Sequence, residues 1–254
     1  MQLDGHSAIV TGGASGLGAE TARQLSAYGV KVAVLDLNFE AAKAVADEIS
    51  GVAVAVDVSS AESGEAALST AREAIGPSRI CVNCAGIGPA ARIVGRGGPL
   101  ALSAYERVIS VNLVGTFNIM RLAAADMMSL EPLDDIGERG VIINTASVAA
   151  FEGQIGQAAY SASKGGVAAM TLPAAREFAK FGIRVLTIAP GIIDTPMAGT
   201  MTPEIAAALA ASVPFPKRLG YPKEYADLAI HMVTNQMLNG EVVRLDGAIR
   251  MAPK

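Results

Sequence analysis

The feature that most constrains this chain is its rhythm of short apolar runs and longer helical stretches between Ser7 and Asp246. The runs are S-A-I-V-T, V-K-V-A-V-L-D, V-A-V-A-V-D-V, R-I-C-V-N-C-A, V-I-I-N-T-A-S, I-R-V-L-T-I-A-P and E-V-V-R-L-D. Runs of Val and Ile without polar alternation suit strands buried on both faces, and parallel strands need long crossovers, which the helical stretches supply. The expected fold is α/β: a single doubly wound domain over residues 1–254, with a parallel sheet of about seven strands and helices on both faces. No linker, internal repeat or low-complexity segment interrupts it. Ligands on such sheets bind beyond the carboxyl ends of the strands, so those ends are where chemistry is sought.

The first run leads into T-G-G-A-S-G-L-G, residues 11–18, and then into a helical stretch beginning near Leu17. Gly12, Gly16 and Gly18 permit a tight turn and a close backbone approach, and a helix amino terminus beyond them can face a pyrophosphate. The spacing G-x-x-x-G-x-G departs from the G-x-G-x-x-G fingerprint, but its place between strand and helix suits a phosphate-binding turn. Asp36 closes the second run, where a carboxylate can accept hydrogen bonds from ribose hydroxyls and repel a 2′-phosphate. Neither Ser15 nor Leu37 offers a positive charge beside it, which favours NAD over NADP. The bland reading is that Asp36 caps the next helix. Asp57 ends the third run and either meets the adenine or serves a turn. Asn83-Cys84-Ala85-Gly86 closes the fourth with small residues that let backbone approach a cofactor.

The stretch from Asn144 to Lys164 carries the expected reaction. Ser147 leaves the carboxyl end of the fifth run, and Tyr160 and Lys164 stand four apart on a helix beginning near Gln157, so they share a face. A phenol near pKa ~10 is a poor base at neutral pH, but a fixed ammonium one turn away favours the phenolate. Tyr160 can then exchange a proton with an alcohol while hydride leaves the carbinol carbon, with Ser147 holding the oxygen. Ser147, Gln157 and Tyr160 border the expected substrate. A Tyr and a Lys four apart are also a common surface pair, so the pattern needs its surroundings.

Asn112 falls in an apolar helical run from about Ala104 to Met128, where a buried amide needs a partner such as a water beside Lys164. Residues 87–100, with four glycines, two prolines, Arg92 and Arg96, read as a mobile loop whose arginines meet substrate phosphates or solvent. Pro173 should kink or loosen the helix carrying Tyr160. After Pro190-Gly191, backbone atoms and Thr195 are placed to hold a nicotinamide carboxamide. The apolar segment from Met197 to about Leu219 would close over the substrate as a lid. Cys81 and Cys84 form C-x-x-C, but residues three apart on a strand point to opposite faces, and two histidines in the chain make zinc a poor expectation.

Composition narrows the partners. With 51% hydrophobic and 17% charged residues and a net charge of -4, the chain fits a packed core rather than disorder or a nucleic-acid surface. No uninterrupted apolar run of membrane-spanning length and no targeting segment are apparent, so the expectation is a cytoplasmic protein acting on a small molecule without membrane or nucleic acid.

Taken together, T-G-G-A-S-G-L-G, N-C-A-G, Asn112, Ser147, Y-S-A-S-K and P-G-I-I-D-T resemble the short-chain dehydrogenase/reductase family from about Leu3 to Met251. The resemblance implies a Rossmann-type, NAD-dependent enzyme with Tyr160 as acid/base, Ser147 on the reacting oxygen, Lys164 also on the nicotinamide ribose, and Asn112 on a relay water. It implies cofactor contacts at Ser15, Leu17, Asp36, Asp57, Val58, Cys84, Ile193 and Thr195. V-A-A-F-E-G-Q, V-P-F-P and L-N-G-E-V-V-R-L-D-G resemble the members that oxidise 3-hydroxyacyl-CoA, with hydroxysteroids or other apolar secondary alcohols as alternatives. A non-catalytic nucleotide sensor is the reading from another class. A homotetramer is implied too, packed through the helices bearing Asn112 and Tyr160, and a mitochondrial location if the source is a eukaryote. N-C-A-G replaces the commoner N-N-A-G, and the loop after Gly86 is shorter and poorer in Lys than in those members.

Overall fold

The computed structural model describes residues 1–196 and 202–253, and each of the seven apolar runs contributes a strand. They are β1 (Ser7–Thr11), β2 (Lys31–Asp36), β3 (Val52–Ala55), β4 (Ile80–Asn83), β7 (Gly140–Thr145), β8 (Ile183–Pro190) and β9 (Val242–Leu245). All pair in parallel, in the order β3-β2-β1-β4-β7-β8-β9. The order reverses between β1 and β4, and the crevice at that switch point is where a doubly wound sheet receives a ligand.

Pleating sorts the apolar residues between two cores. Val10, Val34, Val82, Ile143 and Ile188 face one side, against α1 (Gly16–Ala27), α2 (Phe39–Glu48) and α8 (Pro222–Thr234). Ile9, Leu35, Cys81, Ile142 and Val185 face the other, against α3 (Ala61–Ile75), α5 (Gly115–Met128) and α6 (Ala158–Phe178). Neither face of the central strands meets water, which explains why the runs lack polar alternation. Each fully buried Ile or Leu contributes roughly 1.5–3 kcal/mol relative to exposure. Cys81 joins the second core while Cys84 packs against the first, so the C-x-x-C side chains lie on opposite sides of the sheet.

Several elements differ from the sequence reading. The loop after β4 forms a small antiparallel hairpin, β5 (Val94–Gly95) with β6 (Gly98–Pro99), which places Arg92 and Arg96 in exposed positions. The helical run expected from Ala104 begins as α4 (Leu102–Ile109) and widens to a π-helical turn over Ser110–Val114 before α5. By length and hydropathy the whole Leu102–Met128 stretch would suffice to cross a bilayer, yet half of its most apolar window is buried within the fold. β3 stops at Ala55, so Asp57 lies beyond the strand, where Oδ1 accepts from the Ser59 N–H at 2.9 Å and from its hydroxyl at 2.6 Å. Pro173 lies exposed inside α6, with the helix assigned on both sides of it up to Phe178. The expected lid includes α7 (Pro203–Ser212), but its stretch 197–201 lies outside the described residues.

At the amino-terminal end of β8, Arg184 is buried against Glu138, Nε to Oε1 at 2.9 Å, with side-chain exposures of 8% and 3%. Its Nη1 also donates to the carbonyls of Met232, Asn235 and Leu238, and its Nη2 to that of Val233.

Candidate active site

The glycine-rich turn is built so that side chains cannot intrude. Gly12 (φ +63) faces the start of the segment after β4, and a Cβ there would lie 2.7 Å from the Ala85 nitrogen. A Cβ on Gly18 would lie 2.3 Å from the Gly12 carbonyl oxygen. The turn is fastened by Asp36, whose Oδ2 accepts from Ala14 N–H at 3.1 Å and whose Oδ1 accepts from Asn38 N–H at 2.9 Å. Asn38, not Asp36, caps α2, its side chain accepting from Ala41 N–H at 3.2 Å. Asp57 sits in its own Asx turn, and α3 is capped by Ser60.

Across the switch point, Thr145 ends β7 and Ser147 follows it, its Oγ accepting from Ala149 N–H at 3.1 Å to cap a single 3-10 turn. On α6, Lys164 donates to the Thr145 carbonyl at 2.7 Å and lies 5.8 Å from the centre of the Tyr160 ring. Lys164 is 4% exposed, and burial lowers its pKa to about 8. The expectation that this ammonium pulls Tyr160 toward phenolate does not hold in this geometry. Burial raises the Tyr160 pKa, and the opposing pull comes from the Ser147 hydroxyl. The physical reason is that desolvation disfavours both charges, and Lys164 directs its proton at a backbone carbonyl.

Asn112 is fully buried in the π-helical turn, but its side chain is already engaged. Its Oδ1 accepts from Ile87 N–H at 2.8 Å, and its Nδ2 donates to Ile87 O at 2.9 Å and to Ser163 Oγ at 3.0 Å. Ser163 in turn donates to the Tyr160 carbonyl at 2.7 Å. The partner sought for this amide is therefore the chain after Gly86 and the helix carrying Tyr160, so the side chain is not left waiting for a water.

A second polar chain went unseen in the sequence. Thr145 Oγ1 donates to Asn83 O at 2.6 Å and lies 2.7 Å from the hydroxyl of Tyr225 on α8. Since the threonine has one proton to give, Tyr225 is the donor in that pair. Burial raises the Tyr225 pKa far above its ordinary value, which keeps it a neutral donor. Cys84 Sγ lies 3.6 Å from the same hydroxyl, and burial raises its thiol pKa as well. No spacing rule links residues 83–84, 145 and 225, and only the topology brings them together.

Two cavities meet along this crevice. One, of about 320 Å³, is lined by Gly12, Ser15, Gly16, Leu17, Gly18, Asp36, Asp57, Val58, Cys84, Ala85, Gly86 and Thr195 among others. The other, of about 300 Å³, is lined by Ser147, Gln157, Tyr160, Lys164, Pro190, Ile193 and Thr195, with Gln154, Leu209 and Met251 added by the structure. Leu17, Cys84 and Thr195 belong to both walls. Asn112, Arg92 and Arg96 are outside both linings. Arg107, unremarked in the sequence, is the cation in the first lining.

A nucleotide-sized cleft over a glycine-rich turn, opening onto a half-buried Ser147 and Tyr160 beside the buried Lys164, defines an oxidoreductase of the nicotinamide-dependent kind. The short chain dehydrogenase family model matches residues 6–206, and the chain belongs to that family. The chain is 52% identical to 3-hydroxyacyl-CoA dehydrogenase type-2 of Bos taurus, over 97% of this chain and 95% of that protein. It is 50% identical to the protein of that name in Drosophila melanogaster, over 96% and 97% of the two chains. The crystal structure of 3-hydroxyacyl-CoA dehydrogenase type-2 from Mycobacterium avium is similar over the full length of both chains, with TM-score 0.92 and 45% identity.

Proposed function

We propose that this protein reversibly oxidises a 3-hydroxyacyl-CoA to the 3-oxoacyl-CoA, with NAD as its cofactor. The observation that carries the reading is the shared wall of the two cavities, which puts Ser147, Tyr160 and Lys164 beside the floor of the nucleotide cleft. The names of relatives about half identical to this chain supply the substrate class.

The cleft suits a dinucleotide because Gly12 and Gly18 let the turn pack closely on the Ala85 backbone and on itself, so that its own backbone lines the cavity. Asp36 would receive the adenosine ribose hydroxyls and oppose a 2′-phosphate, Asp57 and Val58 would border the adenine, and Ile193 and Thr195 would hold the carboxamide. When bound, the nicotinamide takes up or gives back the hydride. Ser147 orients the substrate oxygen, and Tyr160, whose protonated form burial favours, donates to it in reduction and is left as phenolate; oxidation is the reverse transfer, from the alcohol to the Tyr160 phenolate. Lys164, fixed by Thr145 O, holds positive charge beside the phenol and grips the ribose. Asn112 acts as a positioning residue, holding Ile87 and, through Ser163, the helix turn of Tyr160.

The apolar residues Leu17, Ile192, Ile193 and Leu209 in the substrate lining favour a second reading, a hydroxysteroid or other apolar secondary alcohol. A panel of acetoacetyl-CoA, hydroxysteroids and simple alcohols, followed at the nicotinamide absorbance, separates the two. Acetoacetyl-CoA turned over no better than a simple ketone would remove the first reading. Tyr160→Phe should lose about 10²- to 10⁴-fold in turnover while still binding NADH. Retention of most activity would remove the assigned acid/base, and a non-catalytic sensor would show no turnover in either protein. The exposed Val114 and Phe117, near Asn112, support the homotetramer inferred from resemblance, which light scattering would test.

A further inference from the structure

Beyond β9 the chain reverses at Gly247 (φ +59) and Ala248 (φ +67) and runs back toward the loop that follows Ser147. Three observations fix it there. Arg244 on β9 forks onto Glu152 at 2.7 and 2.9 Å, while its Nε meets Asp246 at 2.7 Å. Arg250 approaches the same two carboxylates, at 3.4 Å from Glu152 and 3.3 Å from Asp246. The returning segment then hydrogen-bonds to the active-site loop, from Ile155 N–H to Pro253 O at 3.0 Å and from Gln154 Nε2 to Ala252 O at 3.0 Å. Between these anchors, Met251 enters the lining of the cavity that holds Ser147, Gln157 and Tyr160.

We propose that residues 250–253 form an outer wall of the substrate cavity and that Met251 sets the size of the chain admitted beside the reacting carbonyl. The inference rests on the Ser147–Tyr160 cavity being the substrate site and deepens that reading. The ion cluster and the two backbone contacts hold the wall, and the unbranched thioether makes its surface adaptable. A pocket wall of this kind discriminates by roughly tenfold or more per methylene it clashes with or fails to touch.

The test is a ladder of kcat/KM values for 3-oxoacyl-CoA substrates of increasing acyl length, and in parallel for linear methyl ketones, in wild type, Met251→Ala and Met251→Trp. Met251→Ala should raise the long-to-short ratio about tenfold and Met251→Trp should lower it by a similar factor, mainly through KM, with NADH affinity unchanged. Ladders of both variants that keep the wild-type shape, whether superimposed or uniformly lowered, would overturn the proposal. Should wild type reduce only the ketones, the acyl-CoA reading fails by itself, and the ketone ladder still decides the wall.

Discussion

Among the described residues two cationic side chains are buried, one at each end of the sheet, and they are treated in opposite ways. Arg184, near the amino end of β8, is met by the Glu138 carboxylate and four backbone carbonyls. Lys164, beside the carboxyl end of β7, has one backbone carbonyl as its hydrogen-bond acceptor, and burial lowers its pKa to about 8. A charge that is fully answered fastens β8 to α8 and to the chain before β7. An unanswered one is free to respond to what enters the crevice, at a cost to the folded state. The comparison teaches that the amino end of this sheet is built for stability and the carboxyl end for chemistry.

The largest effect that could break the comparison belongs to Arg184. Arg184→Met removes the guanidinium from Glu138, which keeps the Met1 ammonium at 3.0 Å, and should destabilise the protein by about 3 kcal/mol in urea titration, the low end for broken buried pairs. A loss below about 1 kcal/mol would mean that the pair is not structural.

Next is the pH dependence that Lys164 imposes on stability. Its folded pKa lies below the ordinary 10.5, so the penalty for burying the ammonium is full below about pH 8. Between there and pH 10.5 the folded chain gives up its proton before the unfolded chain does, and stability rises with pH. Wild type should therefore gain on Lys164→Met across that window, by up to roughly 3 kcal/mol. Parallel stability curves would show that Lys164 is better compensated than the geometry indicates. The smallest effect concerns the nucleotide side of the crevice. Asp36→Ala should shift the NAD-to-NADP preference by roughly tenfold, the worth of about one charged hydrogen bond, and an unchanged ratio would show that Asp36 only fastens the glycine turn.

Much of this was legible in the chain itself, for identifiable reasons. Strands buried on both faces must be written in Val and Ile, so β1, β4, β7 and β8 announce themselves. Tyr160 and Lys164 are legible because helical spacing puts residues four apart on one face, and Ser147 because a strand must end somewhere in N-T-A-S. Spacing does not report burial, however. It brought the ammonium near the phenol but could not show that burial raises the pKa of the phenol. Nor does it report contacts remote in sequence. Tyr225 meets Thr145 across 80 positions, and Met251 reaches the cavity only because the chain reverses after β9. The π-helical turn at Asn112 was hidden because Ser110–Val114 carries the same residue types as the α-helices beside it.

The contrast between the two ends of the sheet is tested most directly by titrating the Lys164 amine itself. Heteronuclear NMR of lysine-labelled protein free of cofactor, assigned by loss of one resonance in Lys164→Met, would read its pKa. The account predicts a midpoint near 8, and a midpoint close to 10.5 would contradict it.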